Sequence, residues 1–186
     1  MRPPGYDAAR MSDQPGNRRI DRIRRPDFLE GLDSLALDEL RTRRDDCLSE
    51  REYLSLLRRL VQGRAEILHA EVERRGGAAQ EGSLVERLAQ ILSAEPQGPS
   101  RGEAVKVGVP GEEMLLARRR VERLVADSGI SDPGALDDER LAGAVDLLVR
   151  EEREVSSSRS QVLRALDALQ GELKRRYRED PSLVLS

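Results

Sequence analysis

Aromatic residues are scarce in this 186-residue sequence. They make up 2% of the chain, and tryptophan is absent. A thick globular core is therefore not expected. Charged residues reach 36%, and leucine, alanine, arginine and glutamate dominate, which is the composition of long helices. The sequence predicts elongated helical packing in one domain with appendages.

Further absences narrow the classes of function. Cys47 is the only cysteine and His69 the only histidine, so we expect no disulfide framework, no metal site and no catalytic triad. No apolar run approaches the 18 residues of a membrane span, and the first 20 residues show no signal peptide. The net charge of −3 argues against direct nucleic-acid binding through a basic surface. We expect a cytoplasmic protein that is not an enzyme.

Proline and glycine divide the chain into five segments. Residues 1–31 are proline-rich and polar, and we expect a disordered N-terminal arm there. Apolar residues then recur with helical spacing over 32–76, and again over 137–180, where Asp137 is the expected N-cap. Between them, 77–136 is predicted to be a helical connector containing two short helices, at 83–92 and 112–126. Residues 181–186 form a C-terminal tail.

Both long helices carry heptad patterns, with steps of three and four residues. On the first helix the pattern runs through Leu37, Leu40, Arg44, Cys47, Arg51, Leu54, Arg58, Val61, Ala65, Leu68 and Val72. On the second it runs through Leu141, Val145, Leu148, Glu152, Val155, Arg159, Val162, Leu166, Leu169 and Leu173. The sequence therefore predicts an all-α fold, an antiparallel two-helix coiled coil in which Leu37 comes near Asp180 and Arg75 near Ala142.

Polar residues interrupt both patterns with the same spacing. The first set is Arg51, Ser55, Arg58, Gln62 and Glu66, and the second set is Glu152, Ser156, Arg159, Leu163 and Asp167. Each member of the second set lies 101 residues after its equivalent in the first. With about 3.6 residues per turn, each set covers one helix face about 80° wide. We expect the two polar faces to meet, with Arg58 opposite Glu152.

Two interpretations of these faces remain open. Polar positions in a coiled coil often fix register or form solvated ion pairs, which would make the chain a ligand-independent adaptor or scaffold. The alternative is a ligand site, because arginine binds guanine O6 and N7 in a bidentate manner and carboxylates accept from N–H groups. A negatively charged ligand with guanine rings would satisfy both groups.

The duplicated pattern resembles that of the RsiG anti-sigma factors of spore-forming actinobacteria, whose two helices each carry the signature E-x3-S-x2-R-x3-Q-x3-D. The second copy, EREVSSSRSQVLRALD, matches at Glu152, Ser156, Arg159 and Asp167 and has Leu163 in place of Gln. The first copy, REYLSLLRRLVQGRAE, matches at Ser55, Arg58 and Gln62. It has Arg51 in place of Glu and Glu66 in place of Asp.

This resemblance implies a regulator with no catalytic task. RsiG-type proteins bind an intercalated pair of cyclic di-GMP molecules on the coiled coil. In that state they hold a WhiG-type sporulation sigma factor, of the flagellar class, away from core RNA polymerase. The implied ligand site comprises Arg51, Ser55, Arg58, Gln62, Glu66, Glu152, Ser156, Arg159 and Asp167, with cyclic di-GMP and the sigma factor as partners.

Overall fold

A computed structural model describes residues 18–77, 83–93, 110–127 and 131–184. Within those ranges the chain is all-helical. Its five α-helices are α1 (Arg19–Ile23), α2 (Leu37–Arg75), α3 (Ser83–Ser93), α4 (Gly111–Asp127) and α5 (Asp138–Glu179), and the 3-10 helices are Pro26–Leu29, Pro133–Ala135 and Pro181–Val184. Helices α3 to α5 begin and end within one residue of the bounds expected from the sequence, whereas α2 begins at Leu37, five residues after the expected start at residue 32. The expected flexible joints lie mostly outside the described residues.

Local sequence signals explain where the long helices begin and end. The Asp137 carboxylate accepts a hydrogen bond of 2.8 Å from the Arg140 amide, as an N-cap does. At the end of α2, Gly77 adopts a φ of 75°, a left-handed conformation that costs glycine little. Acidic residues occupy the first turns of α2 and α5 and arginines the last turns, which complements the helix dipole.

The chain divides into two compact units. Unit 1 comprises residues 1–51 and 158–186, and unit 2 comprises residues 52–157. In unit 1, the Arg176 guanidinium of α5 donates to the carbonyl oxygens of Leu32 and Leu35, each at 2.7 Å. Arg41 donates to the Tyr177 hydroxyl at 3.2 Å. These bonds attach the start of α2, and the turn before it, to the end of α5.

Residues 18–29 differ from the predicted disordered arm. Helix α1 buries Ile20 and Ile23, and Arg24 donates to Ser158 Oγ at 2.7 Å and to Gln161 Oε1 at 2.9 Å. Arg19 lies 3.6 Å from the buried Glu50 carboxylate. The segment is helical because two isoleucines on one face and a set of ion pairs offset its ordering entropy. Residues 1–17 lie outside the described residues.

In unit 2 the two long helices run antiparallel. Arg58 contacts Glu152, and further along α2 Arg75 contacts Asp138, each pair at 2.7 Å. The partner of Arg75 lies one helical turn from the predicted Ala142. Helix α4 is joined to α5 by the ion pair Arg120–Glu151, also at 2.7 Å. A Cβ added at Gly63 on α2 would lie 3.8 Å from Leu88 Cδ2 of α3, so α3 packs against α2 there.

The buried residues confirm only part of the predicted heptad patterns. On α2, one line with a spacing of seven is fully buried, at Leu40, Cys47, Leu54, Val61 and Leu68. The matching line on α5 is Leu141, Leu148, Val155, Val162 and Leu169. The second line of the α2 pattern is interrupted where the sequence places arginines: Arg44, Arg51 and Arg58 are half-buried, whereas the neighbouring Glu50 and Leu57 are buried. The arginine side chains stay at the edge because removing a charged group from water is costly.

Candidate ligand-binding site

The Glu152 carboxylate in unit 2 accepts hydrogen bonds from three other residues of the predicted site. Glu152 Oε1 accepts hydrogen bonds from Arg58 Nε at 2.7 Å, from Ser156 Oγ at 2.9 Å and from Gln62 Nε2 at 3.2 Å. Arg58 and Gln62 lie one turn apart on α2, and Glu152 and Ser156 lie one turn apart on α5. We call these four residues the Glu152 cluster. It contains members of both copies of the duplicated pattern.

The Glu152 cluster is held together by charge as well as by geometry. Partial burial alone would raise the pKa of Glu152, but the hydrogen bonds from Arg58 and Ser156 outweigh it and hold the pKa below its usual value. Glu152 is therefore a carboxylate at neutral pH. The Arg58 side chain is 41% exposed and that of Glu152 25% exposed. Both groups are thus accessible to a ligand from solvent.

The other predicted site residues occupy both units. Ser55 and Glu66 lie on α2 within unit 2, and both are half-buried. Arg51, Arg159 and Asp167 belong to unit 1. There Arg51 and Arg159 are half-buried, and Asp167 is exposed. The structure therefore brings together four of the nine predicted residues around one carboxylate.

The polar face and the residues packed against α1 and α4 lie on different sides of each long helix. By helical geometry, the polar face of α2 is centred roughly 130° from the direction of Glu50 and Leu57. Ser158 and Glu151 lie at the equivalent angle on α5, because they follow Leu57 and Glu50 by 101 residues. In unit 1 helix α1 packs on this second side through Arg19–Glu50 and Arg24–Ser158, and in unit 2 helix α4 does so through Arg120–Glu151.

Several polar contacts of this second side are not predictable from heptad spacing. The run Arg118–Arg120 is consistent from sequence with a solvated face or with an acidic partner surface. In the structure Arg118 and Arg119 are exposed, and Arg120 pairs with Glu151 of the same chain. The only available signal was that Glu50 and Glu151 lie one residue before Arg51 and Glu152, again 101 residues apart.

Two kinds of feature are missing from the described part of the chain. No helix there combines the length and the hydropathy of a membrane span. Among the same residues, no three His, Cys, Asp or Glu side chains are placed to hold a metal ion. The polar face itself carries arginine, carboxylate, amide and hydroxyl groups.

Comparison with known proteins supports the resemblance noted from the signature. No curated protein matches the chain. A family model described as RsiG-like matches residues 26–92, a range that contains α2, all but the last residue of α3, and the first copy of the signature. The match supports an anti-sigma factor role, and hence a sigma factor as the partner. Residues 26–92 are thus similar to the RsiG-like family.

Proposed function

We propose that this protein is a cyclic di-GMP-dependent anti-sigma factor. With the nucleotide on its polar face, it sequesters a WhiG-type, flagellar-class sporulation sigma factor in the cytoplasm and represses the genes that this factor transcribes. The long helices then act as an antiparallel coiled coil that displays the ligand. The Glu152 cluster is the observation that carries the proposal.

The chemistry of the Glu152 cluster suits a guanine nucleotide. A guanidinium such as Arg58 can bind guanine O6 and N7 with two parallel hydrogen bonds. The Glu152 carboxylate can accept from guanine N1–H and N2–H, and arginine also pairs with phosphate oxygens. In the absence of ligand, Arg58 and Glu152 satisfy each other at 2.7 Å. A guanine edge offers an acceptor to the first and donors to the second, so it can replace that ion pair while keeping a hydrogen-bond partner for each group.

A ligand-independent adaptor is the second candidate, and the same ion pair favours it. A pair joining the two long helices can fix their register without any nucleotide. The two candidate functions predict different results when the arginines of the polar face are replaced. A register device loses helix pairing, whereas a ligand site loses nucleotide binding and keeps the fold.

Calorimetry with cyclic di-GMP tests the proposal. Arg58→Ala and Arg159→Ala should each weaken binding about tenfold to a hundredfold, because each removes a charge-assisted contact worth about 1.5–3 kcal/mol. Arg178→Ala is the matched control, since Arg178 is exposed on the same helix about 28 Å beyond Arg159. Circular dichroism of each variant reports the fold. Unchanged affinity in the double variant Arg58→Ala/Arg159→Ala would overturn the assignment.

A further inference from the structure

Two consecutive large hydrophobic side chains are exposed on α4, within unit 2. Met114 and Leu115 are 41% and 52% exposed. On α2 and α3 the exposed large hydrophobic residues, Val72, Val85 and Leu92, are not adjacent in sequence. Because exposed apolar surface that is grouped together marks a contact site more often than single residues do, the pair on α4 is a candidate interaction surface.

The opposite side of α4 is fixed to the rest of unit 2. Ala117, Val121 and Val125 recur every four residues and are buried. Beside them Arg120 donates two hydrogen bonds to Glu151 Oε1 of α5, at 3.0 Å and 2.7 Å. A helix held by buried side chains and a charge-assisted contact presents its exposed side in a defined orientation.

The exposed side of α4 combines an apolar side chain with charge. Leu115, Arg118, Arg119 and Glu122 are all exposed, and steps of three and four residues place them on one side of the helix. By helical geometry this side is centred roughly 110° from the buried face. We call these four residues the α4 outer face. Its two arginines flank Leu115 at a distance of one turn.

The arginines of the α4 outer face keep their charge available. Residues 119–122 repeat residues 18–21 of α1 at the same offset of 101, as RRVE and RRID. In α1, Arg18 pairs with Asp21 at 3.2 Å. Within the described part of the chain no ion pair joins Arg119 to Glu122, and Arg118 forms none. The charge that α1 neutralises locally is therefore open to an outside carboxylate on α4.

We infer that the α4 outer face binds an acidic, amphipathic helix of the sigma factor. Carboxylates of that helix pair with Arg118 and Arg119, and its apolar side chains cover Met114 and Leu115. The inference rests on the proposed function for the identity of the partner. It does not require the nucleotide, because α4 packs on the side of the long helices away from the polar face.

The composition of the α4 outer face favours a protein over a nucleic acid. A phosphate backbone is bound by rows of cations, whereas here Leu115 lies between the two arginines and Glu122, one turn further on, would repel phosphates. An acidic helix offers an apolar contact to the leucine as well as anions to the arginines.

Surface capture of a purified flagellar-class sigma factor tests the inference. At about 50 mM NaCl we expect Arg118→Glu/Arg119→Glu to weaken binding about tenfold, and by a smaller factor at about 300 mM, because salt screens exposed charge pairs. Arg118→Lys/Arg119→Lys keeps the charge and should retain most of the affinity. Leu115→Ser should weaken binding about tenfold by a factor that salt changes little, since it removes apolar contact.

Arg64 and Arg150 supply the control for net charge. Both are exposed in unit 2, and each lies roughly 140° or more from the centre of the polar face on its helix. Arg64→Glu/Arg150→Glu changes the charge of the chain as Arg118→Glu/Arg119→Glu does, and should leave sigma affinity within about twofold. Thermal melting of each variant distinguishes a lost contact from a lost fold. An equal loss in the control would reduce the effect to net charge and overturn the inference.

Cross-linking identifies the segment that α4 contacts. With p-benzoylphenylalanine in place of Met114, we expect a cross-link to a helix of the sigma factor that is rich in Asp and Glu. A cross-link confined to a basic segment would overturn the inference. So would duplex DNA binding by the parent chain that Arg118→Glu/Arg119→Glu abolishes, because the face would then serve a nucleic acid.

The remaining outcomes separate this inference from the proposed function. If the sigma factor binds the parent and the α4 variants equally, the inference is overturned and the proposed function is unaffected. If the α4 variants weaken binding but cyclic di-GMP has no effect on the parent, the α4 surface is supported and the nucleotide dependence is overturned. Failure of the parent chain to bind the sigma factor, with or without nucleotide, overturns both.

Discussion

At the scale of single residues, Cys47 shows how packing controls reactivity. Its side chain is 0% exposed within the buried line of α2. Burial, followed by the nearby charges of Asp46 and Glu50, raises the pKa of the thiol to about 12. Since the thiolate is the reactive form of cysteine, a buried thiol with this pKa is nearly inert at pH 8.

We therefore expect Cys47 to report on opening of the helix pair. At pH 8 the native chain should react with a disulfide-exchange reagent orders of magnitude more slowly than the chain in concentrated urea. Absorbance of the released thiolate follows the reaction. Rapid stoichiometric labelling of the native protein would show that α2 is open around Cys47.

The residues around the polar face show how far sequence periodicity can predict a site. Arg58 was expected opposite Glu152, and the structure joins them. The burial of Glu50 was not expected. Heptad spacing identifies the line at the centre of a helix contact, but it cannot tell which neighbouring line a third element will cover. Helix α1 supplies that cover for Glu50 through Arg19.

At the scale of elements, α1 illustrates a helix that pattern analysis misses. Five residues are too few to show a period, and isolated helices of that length are unstable in water. Its contacts are tertiary: two buried isoleucines, and arginines bound to α2 and α5. The long helices differ because the Asp137 cap, the glycine end of α2 and the repeated apolar spacing are all local features of the sequence.

Arginine-rich last turns make the long helices sensitive to acid. The hydrogen bonds from Arg175 and Arg176 lower the pKa of Glu172 to about 2, and those from Arg74 and Arg75 do the same for Glu71. Between pH 4.5 and 2 the unfolded chain binds protons that these folded carboxylates do not. The stabilisation is therefore complete above about pH 4.5. It is lost as the pH falls towards 2.

A thermal-melting series in acid tests this linkage. In the parent chain we expect the melting temperature to fall between pH 5 and pH 2. Glu172→Gln removes one of the two titrating groups, so its melting temperature should be lower at pH 5 and should depend less on pH. Glu179→Gln is the control, because Glu179 is 61% exposed and shares only Arg175. Parallel curves for the parent and Glu172→Gln would contradict the pKa of Glu172.

At the scale of the whole molecule, the polar face would couple binding of the proposed ligand to binding of the proposed partner. Arg51, Arg58 and Arg159 are all half-buried, and a protein partner laid over this face would remove them further from water. Desolvation of like charges is costly. Nucleotide phosphates would offset that cost before the partner binds, and the nucleotide would become part of the surface that the partner contacts.

This coupling predicts that cyclic di-GMP and the sigma factor bind with positive cooperativity. By reciprocity, the factor by which nucleotide tightens sigma binding equals the factor by which sigma tightens nucleotide binding, about 5- to 150-fold for a coupling of 1–3 kcal/mol. Cyclic di-AMP should not substitute, because adenine presents an amino donor where guanine presents the O6 acceptor. Sigma affinity is measured by surface capture without nucleotide and with each dinucleotide, at several salt concentrations. Equal affinities in the three conditions would remove the regulatory role of the ligand and favour the ligand-independent adaptor.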